Sequence, residues 1–197
     1  MSAPKAENRS DPRRLLPILA RAFAELGYRR ATTAELARRC GVRENILYRA
    51  WPSKKAMFLA AIEYIFDSSR QTWERLLADG SADDAAQRVL DYESVHHGEY
   101  GLYRVVFAGL SETDDPEIRS ALRRMYLHFQ RFIAQRLRET PPRQRRAATA
   151  PEAMAWILVG VGTVANIGRE LELLGAPERQ DLFRQVGQLF LKGEDSG

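Results

Sequence analysis

The chain has 197 residues, of which 45% are apolar, so its composition allows a hydrophobic core and excludes a globally disordered protein. Its one cysteine excludes an intrachain disulfide and favours a reducing, cytoplasmic setting. The net charge of +4 is unevenly spread: residues 1–55 carry 13 Lys or Arg against 5 Asp or Glu, and the other residues carry 17 against 21. This basic segment on a mildly acidic body indicates that one end of the protein meets a polyanion.

Helical periodicity begins near the N-terminus. Apolar side chains between Arg13 and Leu26 recur every three or four residues, which predicts a first helix that ends at Gly27. Pro17 fits this helix only if it begins near Arg14, because first-turn amides have no intrahelical partner. Residues 1–12 are expected to form a flexible basic tail.

Two short helices and a tight turn follow. Thr32 and Glu35 form the T-x-x-E capping box of a second helix, and Gly41 is expected to close that helix. A third helix is predicted over about Arg43–Arg49, with Val42 buried between the two. A support helix, a tight turn and a second helix able to enter the major groove make a helix-turn-helix.

The rest of the chain is also helical by its apolar spacing. A fourth helix is predicted over Lys54–Ala78, and breaks rich in Gly, Pro and Asp separate further helical segments near 83–97, 100–111, 116–139, 151–174 and 177–192. The fold class is therefore predicted to be all-α with about nine helices. Thr140–Ala150 is expected to be an exposed, mobile loop.

The uncharged stretch Ala153–Gly168 has features of a membrane-spanning helix and of a dinucleotide-binding turn, but it fits neither. Its 16 residues fall short of the roughly 20 that a membrane-spanning helix needs. Its spacing Gly160-x-Gly162-x-x-Ala165 imitates a dinucleotide-binding turn, but such a turn needs a βαβ unit, which the flanking sequence does not predict. We expect a buried helix whose glycines let another helix approach closely.

The residues around the helix-turn-helix also follow a known spacing. Those that carry it are Phe23, Gly27-Tyr28, Thr32-Thr33, Leu36-Ala37, Gly41-Val42, Leu47-Tyr48 and Ser53-Lys54. With these residues, 13–59 resemble the DNA-binding head of the tetracycline repressor (TetR) family. The resemblance implies a DNA-binding domain over 13–56 and a ligand-binding and dimerisation domain over 57–197.

Some positions depart from the family's pattern. Arg43 stands where Ser usually caps the recognition helix, which removes a cap worth about 1 kcal/mol. Asn45 and Ile46 replace a small residue and Thr, Ala50 replaces a frequent His, and Trp51 replaces Phe. These departures leave the operator sequence open.

Contacts to DNA are predicted from the chemistry of the head residues. Arg43, Glu44 and Asn45 open the recognition helix and can reach base edges, where Arg pairs best with guanine and Asn with adenine. A second group is expected to contact phosphates or the DNA backbone: Thr32, Thr33, Tyr48, Arg49 and Lys54. The alternative is that Tyr48 is a core residue and that Arg38, Arg39 and Arg49 form a solvated face.

The two C-terminal helices are expected to form a homodimer interface. Their apolar surface exceeds what one protomer core needs, and the resemblance implies a four-helix bundle between two copies. The residues predicted at this interface are Trp156, Val161, Val164, Leu182, Val186 and Phe190.

A small-molecule pocket is expected in the body, where aromatic and polar residues mix. Its predicted lining is Trp73, Tyr92, His96, Tyr103, Phe107, Met125, Phe129, Trp156 and Asn166. An uncharged or weakly charged, aromatic or amphipathic effector fits this lining best, and a cationic effector stays open. The adjacent His96 and His97 point about 100° apart on a helix, so they do not predict a metal site.

Together these features predict a cytoplasmic, homodimeric, ligand-responsive transcriptional repressor that binds a palindromic double-stranded DNA operator. No cofactor, metal or membrane partner is expected, and no Ser-His-Asp, Cys-His or G-x-S-x-G arrangement predicts catalysis. Three alternatives stay open: an activator on the same fold, a helical enzyme that uses the body pocket, and a helical small-molecule-binding or interaction module without DNA binding.

Overall fold

The computed structural model describes residues 11–79, 85–139 and 150–191. In these ranges the chain forms nine α-helices and no strand, which confirms the all-α prediction. The helices are α1 Pro12–Arg30, α2 Thr33–Cys40, α3 Glu44–Ala50, α4 Lys54–Ala78, α5 Ala85–His96, α6 Tyr103–Leu110, α7 Pro116–Glu139, α8 Pro151–Glu170 and α9 Ala176–Leu191. None of these helices is long and apolar enough to cross a membrane. The tail predicted over residues 1–12 and the loop predicted over Thr140–Ala150 lie almost wholly outside the described residues.

The described part of the chain divides into two compact units. The first, here called the head unit, lies within Met1–Ser68 and Tyr100–Met125. The second, the body unit, lies within Ser69–Glu99 and Tyr126–Gly197. The head unit therefore contains α1 to α3, α4 as far as Ser68, α6, and the start of α7. The domain boundary between residues 56 and 57 stays a prediction.

Helix α1 begins at Pro12, one residue before the predicted start near Arg13. Asp11 caps it, with Oδ1 accepting from the backbone N–H of Arg13 at 2.9 Å, and Pro12 fills the first helical position. Pro17 consequently lies inside the helix, beyond the first turn in which the sequence analysis expected it to be tolerated. At Gly27 the backbone has a φ of 72°, so the regular helix breaks there as predicted, before a last turn to Arg30.

Helix α2 is held at both ends by its own sequence. Thr32 Oγ1 accepts from the backbone N–H of Glu35 at 3.3 Å, which is one half of the predicted capping box. The Glu35 carboxylate instead accepts from Arg38 and Arg39, and these hydrogen bonds lower the pKa of Glu35 to about 2. Arg39 also pairs with Glu25 of α1, so the network ties α2 to α1.

The turn between α2 and α3 depends on Gly41. Its φ of 65° lies in the left-handed region, its N–H donates to Arg38 O at 3.1 Å, and Val42 N–H donates to Ala37 O at 3.1 Å. Val42 itself is only half-buried, so the expectation that it is buried between the helices is wrong. The side chain that anchors α3 is Leu47, which is fully buried.

Aromatic rings form the centre of the head unit. Phe23 of α1 meets Phe58 of α4 edge-on with ring centroids 5.0 Å apart, and Tyr28 lies 4.7 Å from Phe58. Both phenylalanines are fully buried. Burial of this pair fixes the start of α4 against α1.

An acidic segment, Glu112–Glu117, here called the acidic turn, joins α6 to the first turn of α7 and binds two cations of the basic N-terminal segment. Arg29 Nε donates to Glu112 at 2.7 Å, and Lys55 Nζ donates to Asp115 at 3.2 Å and also to Glu117. Burial raises the pKa of Asp115, but hydrogen bonds from Lys55 and from two backbone amides outweigh it and leave the pKa below its usual value. The turn therefore ties the end of α1 and the start of α4 to α6 and α7.

In the body unit α5 packs against α9, and α8 ends four residues before the predicted position 174. The backbone N–H groups of Leu173 and Leu174 both donate to Gly168 O, and Glu172 has a φ of 55°. These bonds end the helix in a tight turn at its C-terminus. Residues 171–174, Leu-Glu-Leu-Leu, continue the apolar spacing of the helix, so the sequence pattern does not predict this end.

We expect Gly41→Ala to lower the free energy of unfolding by about 1–2 kcal/mol, because an L side chain is strained at this φ. Nothing lies within 4 Å of the added Cβ, so the cost is backbone strain alone. Gly41→Asn is the matched control and should lose less, because Asn tolerates the left-handed region. Urea unfolding of the parent and the two variants checks this prediction. Equal unfolding midpoints for the parent and Gly41→Ala would contradict a left-handed backbone at this position.

Candidate functional site

Three consecutive polar residues stand at the N-terminus of α3, the first of them as its N-cap. Arg43, Glu44 and Asn45 are all exposed, whereas Leu47 on the inner face is fully buried. Arg43 and Asn45 have no side-chain hydrogen bond or ion pair with any described residue. The structure thus brings together the three residues that were predicted to reach base edges.

Arg43 occupies the N-cap position of α3. Its backbone has extended geometry, φ −82° and ψ 151°, and its side chain makes no capping hydrogen bond, as its replacement of Ser predicts. The guanidinium is therefore available to a ligand in front of the helix. Arg49, near the other end of α3, is also exposed.

Thr33, Glu44 and Tyr48 form a hydrogen-bonded cluster between α2 and α3, here called the hydroxyl–carboxylate cluster. Thr33 Oγ1 donates to Glu44 Oε2 at 2.6 Å, and the Tyr48 hydroxyl donates to Thr33 Oγ1 at 3.4 Å. Tyr48 is 45% exposed, so the alternative that it is a core residue is wrong. The Thr33 hydroxyl proton is already used, which changes what this residue can offer to a phosphate.

Lys54, which was predicted to contact the DNA backbone, has a partner within the head unit, and its contact with DNA stays a prediction. Its Nζ donates to Tyr28 O at 3.0 Å and lies 4.6 Å from the centre of the Tyr28 ring. The side chain is half-buried, so the ammonium is engaged by the end of α1. Of the arginines in the alternative solvated face, Arg38 and Arg39 are paired with Glu35.

The residues predicted to line a pocket fall into separate groups. Tyr103, Phe107 and Met125 belong to the head unit, where the rings of Tyr103 and Phe107 lie 5.5 Å apart. The body unit contains the other six: Trp73, Tyr92, His96, Phe129, Trp156 and Asn166. Trp73 contacts Phe129 at 5.6 Å between ring centroids, and Tyr92 lies 4.5 Å from His96. Trp156 is 47% exposed, so it does not line a closed cavity of the protomer.

The body unit also contains a polar network that the sequence analysis missed. Trp73 Nε1 donates to Glu93 Oε1 at 2.6 Å, and His97 lies between Glu93 Oε2 at 2.7 Å and Gly162 O at 2.9 Å. A Cβ at Gly162 would lie 3.0 Å from the His97 ring, so the glycine admits this contact. The spacing of Glu93 and His97, four residues apart on α5, was the available signal.

Asn166 lies one helical turn after Gly162. Its Oδ1 is buried and has no hydrogen-bond partner among the described residues. A buried acceptor without a donor costs free energy, so this atom is suited to a ligand that brings one.

The predicted dimer-interface residues divide between surface and core. Trp156 and Val164 of α8 are exposed, and Val161 and Leu182 are half-buried. Val186 of α9 is buried within the protomer, so it cannot serve a partner surface, and the expectation for it is wrong. The side chain of Phe190 lies outside the described residues.

Comparison with known proteins agrees with the helix-turn-helix. Residues 19–61 match the sequence profile described as "Bacterial regulatory proteins, tetR family". Nucleoid occlusion factor SlmA of Aliivibrio fischeri (strain MJ11) is 31% identical over 164 residues, which cover 81% of this chain and 83% of that protein. SlmA of Escherichia coli (strain K12 / DH10B) is 30% identical over 130 residues, 65% of this chain and 66% of that protein.

Solved structures share the fold. A TetR-family transcriptional regulator from Agrobacterium tumefaciens superposes with a TM-score of 0.76 at 13% identity, over 95% of this chain and all of that one. The reduced form of E. coli NemR gives a TM-score of 0.75 at 18% identity, over 92% and 98% of the two chains. The chain belongs to the tetR family of bacterial regulatory proteins, which are DNA-binding regulators of transcription and not enzymes.

Proposed function

We propose that this protein is a ligand-responsive transcriptional repressor that binds a palindromic operator as a homodimer. The observation that carries the proposal is the exposed N-terminus of α3, where the consecutive residues Arg43, Glu44 and Asn45 are all exposed while Leu47 is fully buried. A helix that is anchored by one face and offers polar groups on the other can enter the major groove. Two such heads would read half-sites about one DNA turn, or a multiple of it, apart.

The strongest base contact is expected from Arg43. We expect Arg43→Ala to weaken operator binding by about 1–3 kcal/mol and to relax specificity at one base position. Arg38→Ala is the matched control, because Arg38 is exposed but already paired with Glu35. Genomic fragments retained by the purified protein supply the operator, and titration of both variants checks the prediction. If Arg43→Ala binds the operator as tightly as the parent, α3 is not the recognition helix.

The dimer proposal rests on an exposed apolar stripe along α8, here called the α8 stripe. Beyond the adjacent pair Trp156 and Ile157 its members recur every three or four residues, as in helices that pack in a bundle. They are Trp156, Ile157, Gly160, Val164, Ile167 and the C-cap residue Leu171. A continuous exposed apolar face of this kind marks an interaction surface. Because Val186 faces inward, we assign the interface mainly to α8 and not equally to α8 and α9.

We expect Val164→Glu to convert the dimer to monomer, because the interface would bury an unpaired charge. Val164 is 55% exposed in the protomer, so the substitution leaves the core intact. Val95→Glu on α5 is the matched control, since Val95 is 54% exposed and lies outside the α8 stripe. Sedimentation measures the outcome: monomer for the first variant and dimer for the second. If both variants sediment as dimers, the interface does not lie on α8.

The effector proposal rests on the body unit. The Trp73 ring contacts the rings of Phe129 and Phe132, and the buried Asn166 Oδ1 has no donor. The aromatic cluster suits an uncharged or weakly charged aromatic molecule, and the Asn166 oxygen, taken separately, suits a hydrogen-bond donor on such a molecule. Such an effector regulates DNA binding only through its differential affinity for the two states of the protein.

We expect Asn166→Leu to raise the stability of the ligand-free protein by about 1 kcal/mol, because it removes an unsatisfied buried oxygen. The same substitution should weaken effector binding. Thermal-shift screening of aromatic compounds, followed by operator release, measures both quantities. A variant that is less stable than the parent, or that binds the best compound as tightly, contradicts this role for Asn166.

A second candidate is a DNA-binding role in nucleoid occlusion. It is favoured by the match to SlmA, which covers 81% of the chain and so extends past the helix-turn-helix into the body. Deletion of the gene separates the two functions. Changed transcription of genes beside the bound sites supports the regulator, whereas division septa placed across nucleoids with unchanged transcripts support the second candidate.

A further inference from the structure

The position of Glu44 poses an electrostatic problem. Its carboxylate stands exposed between Arg43 and Asn45 on the face of α3 that is proposed to approach DNA, and it has no ion pair with any described residue. A negative charge facing phosphates and base acceptors is unfavourable unless the DNA supplies a donor. A base that lies opposite Glu44 must therefore offer a hydrogen-bond donor.

The hydroxyl–carboxylate cluster fixes the orientation of this carboxylate. Glu44 Oε2 accepts from Thr33 Oγ1 at 2.6 Å, and Tyr48 supports the same hydroxyl at 3.4 Å. A carboxylate has acceptor positions on both oxygens, so Oε1 remains for a ligand. A side chain held in this way makes a directional contact at low entropic cost.

We propose that Glu44 is a specificity-determining residue that accepts a hydrogen bond from the amino group of a cytosine, with Thr33 as its positioning residue. The proposal rests on the assignment of α3 as the recognition helix. In the major groove only cytosine and adenine offer amino donors, whereas guanine and thymine offer acceptors. Adenine also places its N7 acceptor beside the amino group, which repels a carboxylate, so cytosine fits better.

The same charge acts against wrong sites. At any position where a phosphate or a base acceptor faces α3, the carboxylate is repelled, and this weakens binding to sequences that lack the cytosine. It also changes the expected role of Thr33. Its hydroxyl proton is committed to Glu44, so Thr33 acts on DNA through Glu44 and not as a direct phosphate donor.

Selection from random-sequence duplex DNA by the full-length protein tests the proposal. The selected pools of the parent, Glu44→Gln, Thr33→Val and Thr33→Ser are sequenced, and each protein is titrated with mixed-sequence duplex DNA. The parent should enrich a motif with one cytosine per half-site whose preference falls about tenfold in Glu44→Gln. Removal of the charge should also tighten the binding of Glu44→Gln to mixed-sequence DNA.

The two Thr33 variants separate positioning from folding. Thr33→Val keeps the shape and the Glu44 charge but removes the hydroxyl, so it should lose the cytosine preference without tightening mixed-sequence binding. Thr33→Ser keeps the hydroxyl and should behave as the parent. A merely structural role for Thr33 or Glu44 would change the unfolding midpoint and leave the base preference in place.

Identical motifs from the parent and Glu44→Gln would overturn the proposal while leaving the DNA-binding regulator intact. Identical motifs from the parent and Thr33→Val would overturn the positioning role. If the parent itself enriches no sequence, the proposed operator binding fails and this inference fails with it.

Discussion

Helix α3 has seven residues, too few to be stable alone, so its direction depends on burial of one side chain, Leu47. That burial is in turn set by α2 through the left-handed turn at Gly41, and α2 is tied to α1 through Arg39 and Glu25. The positions of the exposed groups of α3 therefore depend on the packing of the core beneath them. A displacement of that core would move every proposed base contact together.

The free positive charge of the head is smaller than the composition of the first 55 residues indicates. Arg38 and Arg39 are paired with Glu35, while Arg29 and Lys55 are paired with the acidic turn Glu112–Glu117. These pairs orient helices and add little charge for phosphates to meet. Arg43 and Arg49 stay exposed, and both are predicted to contact DNA. Under the proposed function, base recognition by a few placed groups would therefore have more weight than general attraction of the polyanion.

Local signals made much of the fold predictable. The bounds of α4 agree with the prediction because Ser53 starts the helix, with Oγ accepting from Ala56 N–H at 3.0 Å, and the turn of α2 agrees because Gly41 needs a positive φ. Contacts between distant segments were not predictable. The sequence spacing does not reveal, for example, that Lys54 Nζ donates to Tyr28 O, 26 residues earlier. Val186 was expected at the dimer surface but is buried within the protomer. Apolar spacing alone does not indicate which side of α9 faces the core.

The glycines that imitate a nucleotide-binding turn have a simpler explanation in helix packing. Residues two apart on a helix point about 200° away from each other, so Gly160 and Gly162 serve opposite faces of α8. Gly162 is packed beneath His97 and accepts its hydrogen bond through the backbone carbonyl. Gly160 is exposed in the α8 stripe, with nothing within 4 Å of an added Cβ, which suits close approach of a second helix. One short motif thus lets α8 pack closely inside the protomer and leaves its outer face open to a second copy.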